Sequence, residues 1–208
     1  ELVVGCYIQE SLVRRRQNET EAIRVLDEIR QHAGQTIAPS AEEVDLGLES
    51  TATNKLFLRD RIEELRLRFP RRIPGQDTVF ASRYIDSCQC IHVIDRQTYY
   101  YRERAGDPDR PSLMDGNDKA ERVVGRLDAL VLLIDYFAGC GKMQKARYWL
   151  NELERWSRSP VDNPKALTHA CAERRARLEI AYPTLRVDST LTITPSESGG
   201  VRVQSKPD

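Results

Sequence analysis

The chain has 208 residues, Lys plus Arg and Asp plus Glu are both 32, and the formal net charge is zero. That length accommodates one sizeable core or a short array of helical hairpins, while the balanced charge excludes a chain coated in basic residues to neutralise phosphate backbones. Any nucleic-acid contact must therefore come from a local patch.

Charged residues make up 31% of the chain and aromatics 7%, which suits solvated helices with one buried face better than a β-sandwich. Cys6, Cys88, Cys90, Cys140 and Cys171 are five, an odd number without framework spacing, so the expectation is free or buried thiols in an intracellular, reducing compartment. The longest apolar run, ALVLLI from Ala129, is far shorter than the roughly 20 residues of a membrane helix, so no membrane insertion is expected. Glu1 in place of Met is read as the start of a processed or trimmed chain.

In chain order, Val4, Ile8, Leu12 and Val13 recur at helical spacing, and NETEAIRVLDEIRQHAG follows with Asn18 and Glu21 as a capping box and Ala22, Val25, Leu26 and Ile29 as one stripe. The first 34 residues thus predict a helical hairpin, in which Asn18 is read as a cap rather than as the acceptor of its Asn-Glu-Thr sequon. Residues 35–53 lack a period and predict a loop. NKLFLRDRIEELRLRFPRR then predicts a helix with Leu56, Leu58, Ile62, Leu65 and Phe69 on one side, stopped by Pro70 and ending in the basic cluster Arg66, Arg68, Arg71 and Arg72. After Pro74 and Gly75, Asp77 is placed to cap a long helix that carries Cys88, Cys90, His92 and the triple tyrosine at 99–101. The Gly, Pro and Asp residues of 105–118 mark the clearest break. Helices follow over residues 119–138, 142–158 and 164–181. Past Pro183, Leu191 and Ile193, then Val201 and Val203, alternate around a Ser/Gly-rich turn, predicting a small hairpin or an extended tail.

AIRVLDEI from Ala22, AERVVGRL from Ala120 and ARYWLNEL from Ala146 each place a small Ala before larger apolar residues, as an internal helical repeat would. LLIDYFAGCGKMQKARYWLNEL, residues 132–153, resembles the core of a pentatricopeptide repeat through Leu133, Ile134, Asp135, Phe137, Ala138, Cys140, Gly141, Met143, Ala146, Leu150 and Leu153. It shares Leu133, Gly141 and Ala146 with the related tetratricopeptide repeat. The clear unit spans residues 128–162. The resemblance implies antiparallel hairpins joined by a tight turn at Gly139 and Gly141, with Ala146 allowing close packing. It also implies RNA association in mitochondria or plastids, or a role as a protein-binding scaffold in a large assembly. By resemblance the base-reading positions fall at Val131 and Asp162. Val131 has no polar atom for a base edge, so packing is expected there.

Motifs for chemistry are sparse. CQCIH, residues 88–92, invites a zinc reading, but a helix would turn Cys90 away from Cys88 and His92, and no second Cys/His pair lies at finger spacing. HACAE, 169–173, lacks the Pro-Cys-x-x-Cys of a zinc deaminase. GCGK, 139–142, lacks the rest of a phosphate-binding loop, and the acidic spacing from Asp107 misses the ligands of a calcium loop. No catalytic residue, metal ligand or cofactor is therefore expected.

Taken together, the residues predict an all-α fold of antiparallel helical hairpins in a short solenoid-like stack over 1–183, with a C-terminal tail or hairpin over 184–208. The expected function is a non-catalytic interaction module, a scaffold subunit of a larger protein or ribonucleoprotein assembly. An RNA-binding pentatricopeptide-like protein is the alternative. Arg14, Arg15, Arg16, Arg66, Arg71 and Arg72 are the candidate RNA or phosphate contacts.

Overall fold

The computed structural model describes residues 2–10, 32–40, 44, 51–102, 119–185, 191–195 and 201–205. More of these residues lie in helices than in strands, as the apolar stripes predict. In chain order they hold β1 (Leu2–Glu10), β2 (Thr36–Ile37), β3 (Lys55–Phe57), α1 (Arg59–Glu64), α2 (Gln76–Asp86), β4 (Ile91–Arg102), α3 (Ala120–Gly139), α4 (Met143–Ser157), α5 (Pro164–Ala181), β5 (Leu191–Pro195) and β6 (Val201–Ser205).

Strands correct the all-helical expectation in three places. A four-stranded sheet runs in the order β2-β4-β1-β3, with β1 parallel to β4 and both short edge strands antiparallel to their neighbours. β1 replaces the first predicted helix. LVVGCYI is a nearly unbroken apolar run, the pattern of a central strand, and its apolar residues also satisfy helical spacing when only every fourth is counted. β4 replaces the second half of the predicted long helix, where β-branched and aromatic residues are dense. α2 ends at Asp86, with Ser87 as its C-cap, and it begins after Gly75, at φ 82°, so Asp77 lies in its first turn rather than at its cap. In the third place, Lys55–Phe57 is strand, so Leu56 and Leu58 stand apart from Phe57 and are 71% and 53% exposed, whereas Phe57, Ile62 and Leu65 pack against the core. Residues 184–208 contribute the antiparallel pair β5 and β6, with Ile193 opposite Val203. The predicted helix of residues 18–34 and the break at 105–118 fall outside the described residues, save 32–34.

Helices α3, α4 and α5 lie within one or two residues of their predicted bounds. The α3–α4 joint spans three residues, which makes the two helices antiparallel neighbours. It closes as a Schellman turn: the Gly141 amide donates to the Ala138 carbonyl at 3.0 Å and the Lys142 amide to the Phe137 carbonyl at 2.8 Å. Gly141, at φ 74°, is the residue that needs to be glycine. Gly139 is helical with open space around it, which corrects its expected role in the turn. α5 opens on Pro164 behind Asn163, whose side chain accepts from the Ala166 amide at 3.1 Å. Arg174 to Asp128 at 2.7 Å and Arg177 to Asp135 at 2.6 Å tie α5 to α3, and Arg175 to Glu154 at 3.0 Å ties it to α4.

Two apolar cores result. One gathers Leu127, Leu130, Leu133, Ile134 and Phe137 of α3 with Ala146, Trp149, Leu150 and Leu153 of α4 and Leu167 and Leu178 of α5. The other gathers Phe80, Ala81, Tyr84 and Ile85 of α2 with Ile91 and Val93 of β4. α2 serves both, because Val79 on its opposite side belongs to the first. Close approach of α3 to the segment before α2 is set by Gly125, where an added Cβ would lie 2.7 Å from Pro74 Cδ. Ala is favoured over Gly by about 1 kcal/mol in a helix interior, yet Gly125→Ala is expected to destabilise by about 1–3 kcal/mol, because the proline ring must be displaced. A raised melting temperature for this variant would contradict the packing.

Candidate functional site

The candidate interface is the connection between α1 and α2, residues 65–75. Arg66, Arg68, Arg71 and Arg72 are all exposed there. Arg66, at φ 51°, and Arg72, at φ 61°, sit in the left-handed region. A non-glycine residue there is held at a cost of about 1–3 kcal/mol, and such positions cluster at binding sites. α1 ends well before Pro70, contrary to expectation: the Arg66 amide donates to the Glu63 carbonyl at 3.1 Å and the Leu67 amide to the Ile62 carbonyl at 3.0 Å, a Schellman turn closed by Arg66. Phe69 is 47% exposed and stacks on Phe80, centroids 4.2 Å apart and planes 8° from parallel. Phe80 is in turn packed against Phe57 edge-on at 5.2 Å, so the exposed ring rests on a fixed aromatic base. Phe69, Pro70, Arg71, Arg72 and Gln76 line an open cleft of about 630 Å³.

The charges of this connection are uncommitted. Arg66, Arg71 and Arg72 form no ion pair among the described residues, whereas Arg59, Arg61, Arg155, Arg174, Arg175 and Arg177 all do. Of the expected contacts, then, Arg66, Arg71 and Arg72 share one segment, and Arg14, Arg15 and Arg16 lie outside the described residues. The exposure of Phe69 was missed, because a continuous helix through Leu65 would have buried it.

Positions singled out by the repeat resemblance have other work. Val131 is buried in the helical core. Asp162 accepts from the Ala120 amide at 2.8 Å, satisfying the open N-terminus of α3 from the far end of the hairpin. Tyr99, Tyr100 and Tyr101 pair through their backbones with β1.

A second polar cluster lies between α2 and the α3–α4 joint. Lys142 Nζ donates to Asp86 Oδ1 at 2.6 Å, Lys145 Nζ is 3.7 Å from the same oxygen, and Tyr136 Oη donates to Asp86 Oδ2 at 3.0 Å. Burial, and then the adjacent Asp86 carboxylate, push the Tyr136 phenol well above the ordinary tyrosine range, so it stays a neutral donor. Arg83 covers the Tyr136 ring at 4.9 Å, and Lys145 faces the Phe137 ring at 5.2 Å. The Asp86 side chain is 5% exposed and Lys145 is fully buried, so the ion pair at the heart of the cluster lies beneath the surface, with Lys142 and Tyr136 partly exposed. It latches the sheet unit to the helical unit.

Cys88, Cys90, Cys140 and Cys171 are not joined by disulfides among the described residues. No three His, Cys, Asp or Glu side chains among the described residues are grouped to hold a metal ion, and no described helix is long and apolar enough to cross a membrane. Comparison with protein-family models, with curated proteins and with solved structures yields no match. The site therefore has to be interpreted from its own chemistry.

Proposed function

We propose that the chain is a non-catalytic interaction module, a scaffold subunit of a larger protein or ribonucleoprotein assembly, that takes single-stranded RNA on the α1–α2 connection. The observation that carries this reading is the set of exposed, uncommitted arginines, Arg66, Arg71 and Arg72, around the half-exposed Phe69. Guanidinium groups bind phosphate oxygens in bidentate fashion, and an aromatic face stacks any unpaired base, so the pair of features suits single-stranded nucleic acid without sequence selection. The zero net charge fits a local patch rather than a coated surface.

In this reading α3 and α4 form one helical-repeat unit related to the pentatricopeptide type, and α5, packed on both, stands where the first helix of a following repeat would stand. The five cysteines, an odd number without framework spacing, fit a reducing compartment, whether cytoplasm, mitochondrion or plastid.

A protein partner has separate support. Leu56, in the edge strand β3, and Leu58, just after it, are both exposed apolar side chains.

The test is fluorescence anisotropy of a labelled oligouridine as a function of salt. Each phosphate contact contributes about 0.7 to the slope of log K against log salt for single strands. Replacing Arg66, Arg71 and Arg72 together by Ala is therefore expected to reduce the slope by roughly 2. An unchanged slope, or no binding at low salt, would remove the RNA reading and leave the protein scaffold.

A further inference from the structure

The cleft beside Phe69 is small for a length of strand and well sized for its end. Its volume of about 630 Å³ lies within the roughly 300–1,000 Å³ of clefts that take a single small ligand. Phe69 is the one aromatic residue of the connection 65–75, and that connection holds no acidic residue. One face of the ring is taken by Phe80, at 4.2 Å and 8° from parallel, and the ring is still 47% exposed, so one base can add to the stack. A track for internal nucleotides presents successive aromatic faces to successive bases. Here the connection offers a platform for one.

The charge beside that platform exceeds what one internal nucleotide brings. Consecutive side chains of an extended segment point to opposite sides, but Arg71 and Arg72 form a turn, with Arg72 at φ 61°, and both line the cleft with Phe69. An internucleotide phosphodiester carries one negative charge. A terminal phosphomonoester carries about −1.5 to −2 at neutral pH and offers three acceptor oxygens. Two guanidinium groups therefore match a phosphomonoester in charge, and their paired N–H donors have three oxygens to bind rather than two. Arg66 belongs to the same connection but not to the cleft lining.

We propose that the cleft holds the phosphorylated end of a single-stranded RNA. The terminal base stacks on Phe69, the terminal phosphomonoester sits between Arg71 and Arg72, and Arg66 meets the internucleotide phosphate that follows. The proposal rests on the RNA reading of the α1–α2 connection and narrows it from any stretch of single strand to its end. The same phosphomonoester chemistry is found at a 5′ end and at a 3′ end, and the experiment separates the two.

The experiment measures fluorescence anisotropy of internally labelled oligouridines with the full chain: one with a 5′-phosphate, one with a 3′-phosphate, one with hydroxyls at both ends, and one circular. At least one phosphorylated ligand is expected to bind about 10–100-fold more tightly than the hydroxyl-ended and circular ones, the worth of one charge-assisted contact. Uridine monophosphate is expected to bind more weakly than that ligand, because it lacks the phosphate for Arg66. Replacing Arg71 and Arg72 together by Ala is expected to remove the preference, whereas Arg66→Ala is expected to weaken all four oligouridines alike and keep it. Circular dichroism checks that each variant folds, and the ligand comparison on the unaltered chain tests the proposal without any variant. Equal affinity for all four oligouridines would overturn the strand-end proposal and leave the RNA reading standing, while no binding at low salt would remove both. A preference that survives loss of Arg71 and Arg72, or uridine monophosphate bound as tightly as the phosphorylated strand, would also overturn it.

Discussion

Asp86→Ala is expected to lower the free energy of unfolding by about 3–5 kcal/mol, the range seen when one partner of a buried ion pair is deleted. The carboxylate is 5% exposed and stands between Lys142 Nζ at 2.6 Å and Lys145 Nζ at 3.7 Å, with Tyr136 Oη at 3.0 Å on its other oxygen. Removing it takes a carboxylate away from beside the fully buried Lys145 ammonium and strips the Tyr136 hydroxyl of its acceptor. Lys142 is 28% exposed and can turn to water, so Lys142→Ala is expected to cost much less. Urea denaturation of the two variants checks the order. An Asp86→Ala loss below about 1 kcal/mol would mean that the cluster is hydrated and no latch. Because Asp86 ends α2 while both lysines follow the α3–α4 turn, the loss should appear first as separation of the sheet from the helical unit. Hydrogen exchange along α2 would report it.

Phe137→Ala is the second large effect, again about 3–5 kcal/mol. The ring is fully buried in the last turn of α3, edge-on to Tyr136 at 5.1 Å, and Lys145 Nζ lies 5.2 Å from its centroid. Truncation therefore opens a cavity next to an ammonium group and also removes the ring face that partly compensates it. Since Phe137 and Asp86 both act on Lys145, the double variant should depart from additivity by about 0.5–3 kcal/mol. Strict additivity, measured in the same denaturation series, would show that the ring and the carboxylate act separately.

How much of this was legible depended on the length of each apolar pattern. α3, α4 and α5 run 20, 15 and 18 residues, long enough for their stripes to admit one reading. Leu2–Glu10 and Ile91–Arg102 are shorter runs in which helical and strand periods coincide, and only pairing with each other settles them. The basic character of Arg66, Arg71 and Arg72 could be seen directly, but Phe69 as an exposed stacking face could not, since it depends on Arg66 leaving the helical region at φ 51°. Cys90 and His92 were visible as a motif, but the helical reading placed them on different faces, whereas at the start of β4 Cys90 Sγ lies 3.9 Å from His92 Nε2.

By itself the chain determined its balanced charge, the α3–α4–α5 helices and the glycine turn at Gly141. Those properties are local: they follow from composition, from periodicity over several turns, or from a single backbone conformation that glycine adopts cheaply. Tertiary structure alone decided that β1 and β4 are strands, that Val131 is core, that Lys142 and Lys145 converge on Asp86, and that Thr36 turns His92 toward Cys90. Each of those depends on contacts between residues 56 to 92 positions apart or on burial against neighbouring elements, where the free energy comes from pairing and burial rather than from local preference.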